Sequence, residues 1–207
     1  MVASGYPLET ISGLVLAGGQ AQRMGGVEKG LVELDGRPMI AWVLEALRPQ
    51  VGRVLINANR NLEIYGRYGV TVVPDSMGGY LGPLAGVLSA LETIDTDLLL
   101  TVPCDAPLVA PDLGRCLHAA LERESADLAV AHDGQRQQPV FLLLRRTLAA
   151  DLKDYLAGGG RKIDRWFGRH RVADADLSHR PDSFVNVNDA GDRQQVESLL
   201  RGKARTA

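Results

Sequence analysis

Residues 11–17, I-S-G-L-V-L-A, run straight into a cluster of glycines, and that junction leaves few architectures open to the chain. The run has the length and β-branched character of a buried strand. Gly18 and Gly19 follow at once, then Gly25, Gly26 and Gly30, with Arg23 and Lys29 set among them. A strand that empties into a glycine-rich loop is how α/β proteins bring bare backbone N–H groups against phosphate oxygens. A Cβ in such a loop would hold the phosphate off and disfavour positive φ. The two cations would neutralise charge that amides alone cannot. Two common phosphate loops are excluded. Gly18 and Gly19 are adjacent, so G-x-G-x-x-G is absent; Gly25 and Gly30 have the P-loop spacing, but Leu31 and Val32 stand where Lys and Ser/Thr are required.

Downstream, short apolar runs alternate with amphipathic stretches. Strands are predicted at 31–34, 51–57, 70–73, 98–102 and 127–131, with Asp35-Gly36 as a turn signal. Helices are predicted to open at Pro38, Pro83 and Pro111, and the first carries Ile40, Val43, Leu44 and Leu47 on one face. This is the βαβ rhythm of a doubly wound sheet. Beyond 131 the rhythm weakens. Residues 132–138 read as a polar loop, 139–144 as a strand that turns back antiparallel, and 146–156 as a helix ended by Gly158-Gly159-Gly160. Residues 184–188 alternate like a strand, and 189–200 form a last helix. At 207 residues this is read as one domain over 1–207, with a nucleotide-binding part near 11–131 and a second-substrate part near 132–201.

Composition narrows the class further. A net charge of −2 argues against a broad nucleic-acid or membrane footprint, so any phosphate site must be a local concentration of cations. No apolar run approaches the roughly 18 residues of a membrane span, and residues 1–10 lack the features of a signal peptide. Cys104 and Cys116 form no C-x-x-C pair and have no His at metal-ligand spacing, which reads as two small core thiols in a reducing cytoplasm. The four histidines are scattered and receive no role.

In an open parallel sheet, ligands gather at the carboxyl ends of strands. Four predicted strand ends carry suitable groups: the glycine loop after Ala17, Asn57 after Ile56, Asp75 after Val73 and Asp105 after Val102. Asp105 lies between Pro103 and Pro107, which stiffen its loop for holding Mg²⁺, an ion that takes one or two carboxylates plus substrate phosphates. The alternative is a turn-forming Asp. Asn57 reads equally as a strand-end turn residue and Asp75 as a helix cap. Asn186 and Asn188 lie two apart on the strand expected there, so their amides share one side and Val185 and Val187 the other. Arg161, Arg165 and Arg169, spaced by four, would share a helical face, either as solvated surface or as an attractor of anions.

The stretch L-A-G-G-Q-A-Q-R-M-G-G-V-E-K resembles the nucleotidyltransferase signature L-A-[GA]-G-x-x-x-R-M-G-x-x-K, with Leu16, Ala17, Gly18, Gly19, Arg23, Met24, Gly25 and Lys29 on it. Within that superfamily the double glycine and the continuation G-G-V-E-K-G-L resemble the molybdenum cofactor guanylyltransferases. Glu28 departs from the usual Asp but keeps the charge. P-C-D-x-P around Asp105 is similar to the family's metal-binding stretch. Asn57 in N-A-N-R, Asp75 in P-D-S, and residues 80–86, Y-L-G-P-L-A-G, are similar to its guanine-nucleotide positions. F-V-N-V-N with Asn186 and Asn188, and Gln138-Pro139, are similar to its pterin motifs, although the usual Thr-Pro is replaced by Asp189-Ala190.

The resemblance implies a Rossmann-like three-layer αβα nucleotidyltransferase fold, mostly parallel with some antiparallel pairing in the C-terminal part. It implies GMP transfer from GTP to the terminal phosphate of molybdopterin, releasing pyrophosphate, with Mg²⁺ on Asp105. Arg23, Lys29 and Asp105 would be catalytic, while Leu16, Ala17, Gly18, Gly19, Lys29, Asn57, Asp75 and Asp105 would bind nucleotide. Gln138, Pro139, Asn186 and Asn188 would bind the pterin. A cytoplasmic monomer is expected, with molybdoenzymes or their insertion chaperones as partners and neither nucleic acid nor membrane. The rival within the class is a cytidylyl- or sugar-1-phosphate nucleotidyltransferase, which usually has Ala where this chain has Gly18. A nucleotide-binding module without turnover is the rival outside it.

Overall fold

The computed structural model describes residues 5–19, 28–78 and 81–204, the side chains of residues 203 and 204 excepted. Ile11–Leu16 forms β1, buried along its whole length. A 3-10 turn at Lys29–Leu31 takes the first part of the strand expected at 31–34, leaving Glu33–Leu34 (β2) to pair with Arg37–Pro38 (β3). Asp35 and Gly36 connect the two with φ of 51° and 74°, the conformation that selects Asp-Gly in tight hairpins. Met39–Leu47 (α1) follows directly, and Pro38, expected inside it, is extended and immediately precedes it. Arg53–Asn57 (β4), Leu62–Gly66 (α2), Thr71–Val73 (β5), Pro83–Thr93 (α3), Leu98–Pro103 (β6), Leu113–Arg123 (α4) and Leu128–His132 (β7) then alternate as expected, except that the short α2 stands where only a polar break is predicted. Gln137–Arg145 (β8), Ala149–Ala157 (α5), Ile163–Phe167 (α6), Val172–Asp176 (β9) and Ala190–Ala204 (α7) complete the chain.

The seven-stranded sheet has the order β5-β4-β1-β6-β8-β7-β9. Every neighbouring pair is parallel except the two made by β8, which runs antiparallel to β6 and β7. The sheet is thus mostly parallel, and its reversed strand lies in the C-terminal part, as anticipated. Strand alternation sends Leu98, Leu100 and Val102 to one face, with α1 and α4, and Leu99 to the other, with α3, α5 and α6. The chain leaves β1 toward β4 and β5, then crosses back to β6 on the other side of β1. The switch point, and the crevice above it, therefore lies between β1 and β6.

Three expectations fail. Residues 184–188 do not form a strand: a 3-10 turn at Pro181–Phe184 leads into an extended segment without a ladder partner. Its alternation is real in burial, since Val187 is buried while Asn186 and Asn188 are exposed. Alternation records which way side chains face, not whether the backbone pairs. Second, β9 was not anticipated, because V-A-D-A-D buries only alanines, Ala173 and Ala175, between acids. Third, Arg161, Arg165 and Arg169 share no helix face, because α6 covers Arg165 alone of the three.

An irregularity in β8 shapes the region near the crevice. Val130 pairs with Leu142, but the next residue, Ala131, pairs with Gln138, so residues 139–141 bulge. Pro139 sits in the bulge, where a missing backbone N–H costs no ladder bond. Phe141, at its end, meets Phe184 edge to face with ring centres 5.0 Å apart. Val140 O accepts the Thr101 hydroxyl at 2.6 Å, fastening the bulge to β6.

Candidate active site

Lys29 follows the glycine-rich stretch and occupies the switch-point crevice. Its ammonium donates to Asp105 Oδ2 at 2.9 Å and to Asn188 Oδ1 at 2.6 Å. Residues separated by 76 and 159 positions thus meet at one charge. Asp105 is delivered by the turn after β6, and Asn188 by the extended segment after Phe184. That segment is registered against the first by Val187 N, which donates to Asp105 O at 2.8 Å. Val187 is fully buried with Leu34, Met39, Leu108 and Val196, so its burial turns the flanking asparagines outward. Asn186, by contrast, has no side-chain hydrogen bond to any described residue.

The Asp105 carboxylate is mostly shielded, with 17% of the side chain exposed, and its Oδ2 is engaged by Lys29. Among the described residues Oδ1 has no hydrogen-bond partner. One strand-end carboxylate with an oxygen to spare fits Mg²⁺, which keeps most of its water and takes phosphates for the rest.

Asn57 stands differently from its expected role. It is buried, and its amide N–H groups go to Val73 O at 3.0 Å and Asp75 Oδ1 at 2.9 Å. Asn59, not singled out from sequence, donates to Asp75 Oδ2 at 2.8 Å and accepts from Asp75 N at 2.8 Å. The two asparagines orient the Asp75 carboxylate, and the N-A-N spacing was the signal for both. Ser89 on α3 secures the same loop by accepting Ser76 N at 2.7 Å.

Two glycines make room for Asn57. A Cβ on Gly18 would lie 2.8 Å from Asn57 Oδ1, and one on Gly86 would lie 2.2 Å from the same atom and 2.9 Å from Leu16 Cδ2. The glycine after Ala17 is therefore set by the packing of a buried amide. Leu16 and Ala17 are themselves buried, so only their backbone is offered to a ligand.

Glu28, which departs from the usual Asp, is buried rather than solvated. Its Oε1 lies 3.1 Å from Arg60 Nε, while Oε2 and the nearby Tyr65 hydroxyl lack hydrogen-bond partners among the described residues. Burial first, then the charges of Cys104 and Glu28, raise the Tyr65 phenol well above its ordinary value. Arg60 also reaches Gly19 O at 3.5 Å, tying β4's exit to the glycine turn.

Gln138 is spoken for locally: its Nε2 donates to Asp133 Oδ2 at 2.7 Å, closing the β7–β8 hairpin. Asp133 Oδ1 accepts the backbone N–H of Gln135 and Arg136, and these bonds lower its pKa. Arg23 lies outside the described residues, as do Met24, Gly25, Gly26 and Tyr80.

A glycine turn after the first strand, a carboxylate after the strand beside it and a lysine paired with that carboxylate at the switch point define a nucleotidyltransferase. The family model of the MobA-like NTP transferase domain matches residues 13–174. The chain is 48% identical to a molybdenum cofactor guanylyltransferase of Shewanella halifaxensis and 50% identical to that of Shewanella amazonensis. The matches cover 92% of this chain and 95% and 96% of those relatives. The chain belongs to the molybdenum cofactor guanylyltransferase family. Its fold is similar to the crystal structure of molybdopterin-guanine dinucleotide biosynthesis protein A from Archaeoglobus fulgidus. That likeness has a TM-score of 0.76 and 24% identity, covering 92% of this chain and 99% of the other. No helix among the described residues is long and apolar enough to cross a membrane.

Proposed function

We propose that this enzyme transfers GMP from GTP to the terminal phosphate of molybdopterin, forming molybdopterin guanine dinucleotide and pyrophosphate. The observation that carries the reading is the Lys29 ammonium held between Asp105 and Asn188, one from each half of the chain. Residues near 11–131 hold the nucleotide: the backbone of Leu16, Ala17, Gly18 and Gly19 faces its phosphates, and Asp75, oriented by Asn57 and Asn59, takes a polar edge of the nucleoside. Residues near 132–201 hold the pterin through Asn186 and Asn188, with Gln138 and Pro139 setting the bulge beneath. The attacking phosphate is already ionised, so no general base is required. Lys29 and Arg23 offset the charge that gathers as the two anions approach in line, and the rigid strand ends fix that approach. Mg²⁺, held by Asp105, would add the remaining charge neutralisation across the GTP phosphates.

The name of the relatives supports guanine over the cytidine and sugar substrates of the rival reading, and Gly18 agrees with it. Pyrophosphate release tests it directly, with the purified chain, Mg²⁺ and molybdopterin offered GTP, CTP, ATP or UTP in turn. Turnover with GTP alone is expected; faster turnover with CTP, or none with any nucleotide, would overturn the reading.

A further inference from the structure

Asp112, Cys116 and His179 come together away from Lys29 and Asp105. Their carboxylate oxygen, thiol sulfur and imidazole nitrogen all lie within 4.8 Å of one another. Sequence spacing hides the group, because His179 is 63 positions from Cys116 and arrives only by the turn after β9. Cys116 N donates to Asp112 O at 3.0 Å, which stacks the two side chains one helical turn apart at the start of α4. His179 Nε2 lies 3.0 Å from Asp112 Oδ2.

We propose that these three side chains form a binding site for a divalent transition metal of the Zn²⁺ class, completed by water. Zn²⁺ takes sulfur, nitrogen and oxygen at about 2.0–2.3 Å in a tetrahedron, which sets its ligand atoms roughly 3–4 Å apart. The three donors need only small side-chain rotations to reach that spacing. A thiol and an imidazole among three donors suit Zn²⁺ and not Mg²⁺, which prefers an all-oxygen shell. This site is therefore chemically separate from a magnesium site at Asp105. A second observation also points to a ligand: Asp112 Oδ1 is sealed from solvent without a hydrogen-bond partner among the described residues. Arg180 Nε approaches it only to 3.8 Å. Zn²⁺ takes sulfur as thiolate, so the metal displaces a proton from Cys116. The Cys116 S–H bond breaks, the sulfur pair goes to the metal, and one proton leaves to the buffer.

The site clips the start of α4 to the turn that feeds Pro181–Phe184 and then Asn186 and Asn188. Metal there would brace the segment that reaches Lys29, without touching a substrate.

Tag-free full-length protein, stripped with a chelator, is titrated with Co²⁺ and then with Zn²⁺. One equivalent of Co²⁺ should give tetrahedral visible bands and a thiolate-to-cobalt charge-transfer band, which one equivalent of Zn²⁺ abolishes. Cys116→Ala and His179→Ala should each weaken binding at least about tenfold, the minimum expected for losing a ligand when outer partners alone are worth 10–100-fold. A parallel measurement needs no variant. Iodoacetamide should label Cys116 in the stripped protein and be blocked by one equivalent of Zn²⁺, read by peptide mass. Absence of the charge-transfer band together with unprotected Cys116 would overturn the site. So would a band that survives Cys116→Ala.

Discussion

Asn57 ends a strand that has parallel neighbours on both sides, β1 and β5, and its amide is locked inside the protein. Asn188 ends a segment with no strand partner, held by the bonds from Val187 N to Asp105 O and from Asn188 N to Asp192 Oδ2, by one buried valine and by the hydrogen bond from Lys29. The half proposed to hold the nucleotide takes its geometry from the sheet. The other half hangs its polar groups on an appended segment and borrows precision from Phe141, Phe184 and the bulge in β8. The comparison teaches that strand ladders position the groups at strand ends, whereas a few anchored contacts suffice to position a hydrogen-bonding edge. Lys29 is where the two methods meet.

The strongest test of that meeting point is Asp105→Ala. Transfer should fall by at least about a thousandfold, the upper end for removing one preorganised electrostatic group. The thermal midpoint should stay close to that of the unaltered chain, because the carboxylate serves the site and not the core. Near-normal pyrophosphate release would remove Asp105 from the mechanism. Lys29→Ala comes next, with a loss of about 2–4 kcal/mol in transition-state stabilisation. Because Lys29 touches both halves, kcat/KM should fall for GTP and for molybdopterin alike; a loss confined to one substrate would break the bridge between the regions.

Gly86→Ala probes the sheet-built half alone. Its Cβ would intrude on Asn57, and overpacking of this kind costs about 1–3 kcal/mol. Urea unfolding should show the loss, and GTP affinity should drop while pterin affinity holds. Gly18→Ala, with a milder approach to the same atom, should show a smaller version. The appended half is probed by comparing Asn186→Ala with Asn188→Ala. Each should weaken molybdopterin binding by about 1 kcal/mol for a lost hydrogen bond, yet only Asn188→Ala should also disturb GTP, by releasing Lys29. Equal effects on GTP from both would show that the segment acts as a unit.

The smallest effect concerns how α7 is docked. Glu197 accepts from Arg193 and from Asp35 N, and these bonds lower its pKa. A carboxyl depressed in the folded state stabilises above its unfolded pKa, and that contribution disappears as pH falls through the lowered value. Protection of α7 amides against exchange, taken relative to the intrinsic rate at each pH, should therefore fall in the acid range below the ordinary glutamate pKa, while that of β1 stays unchanged. A uniform fall would show that α7 is no looser than the sheet.

The apolar runs of β1, β4 and β6 and the Asp-Gly hairpin were legible because buried strands and positive-φ turns leave strong residue preferences. The places of the four strand-end groups were legible with those strands, although Asn57 is a buried support for Asp75 and not an open group. Asn59 and Glu28 were harder to place, since nothing in a sequence distinguishes a solvated polar residue from one that orients its neighbour. The β9 strand escaped because alanine buries too little area to stand out against its acids, and 184–188 misled because a valine can anchor a segment that pairs with nothing. Asp112, Cys116 and His179 were beyond reach, being joined only by the fold.

The reversed strand β8 has a consequence for how the chain finds this structure. Among the described residues of the seven-stranded sheet, β7 and β8 form the only hairpin, with residues 133–136 as its loop. Every other pairing must close a longer loop before it gains a contact, which slows it. β8 also has to pair with β6, where its Leu142 meets Thr101, 41 positions away. The β6–β8 ladder is thus the seam that joins the hairpin to the parallel strands, and by loop closure it should form after the hairpin itself. Substitutions along that seam, such as Thr101→Val, should act on the refolding rate less than on the unfolding rate.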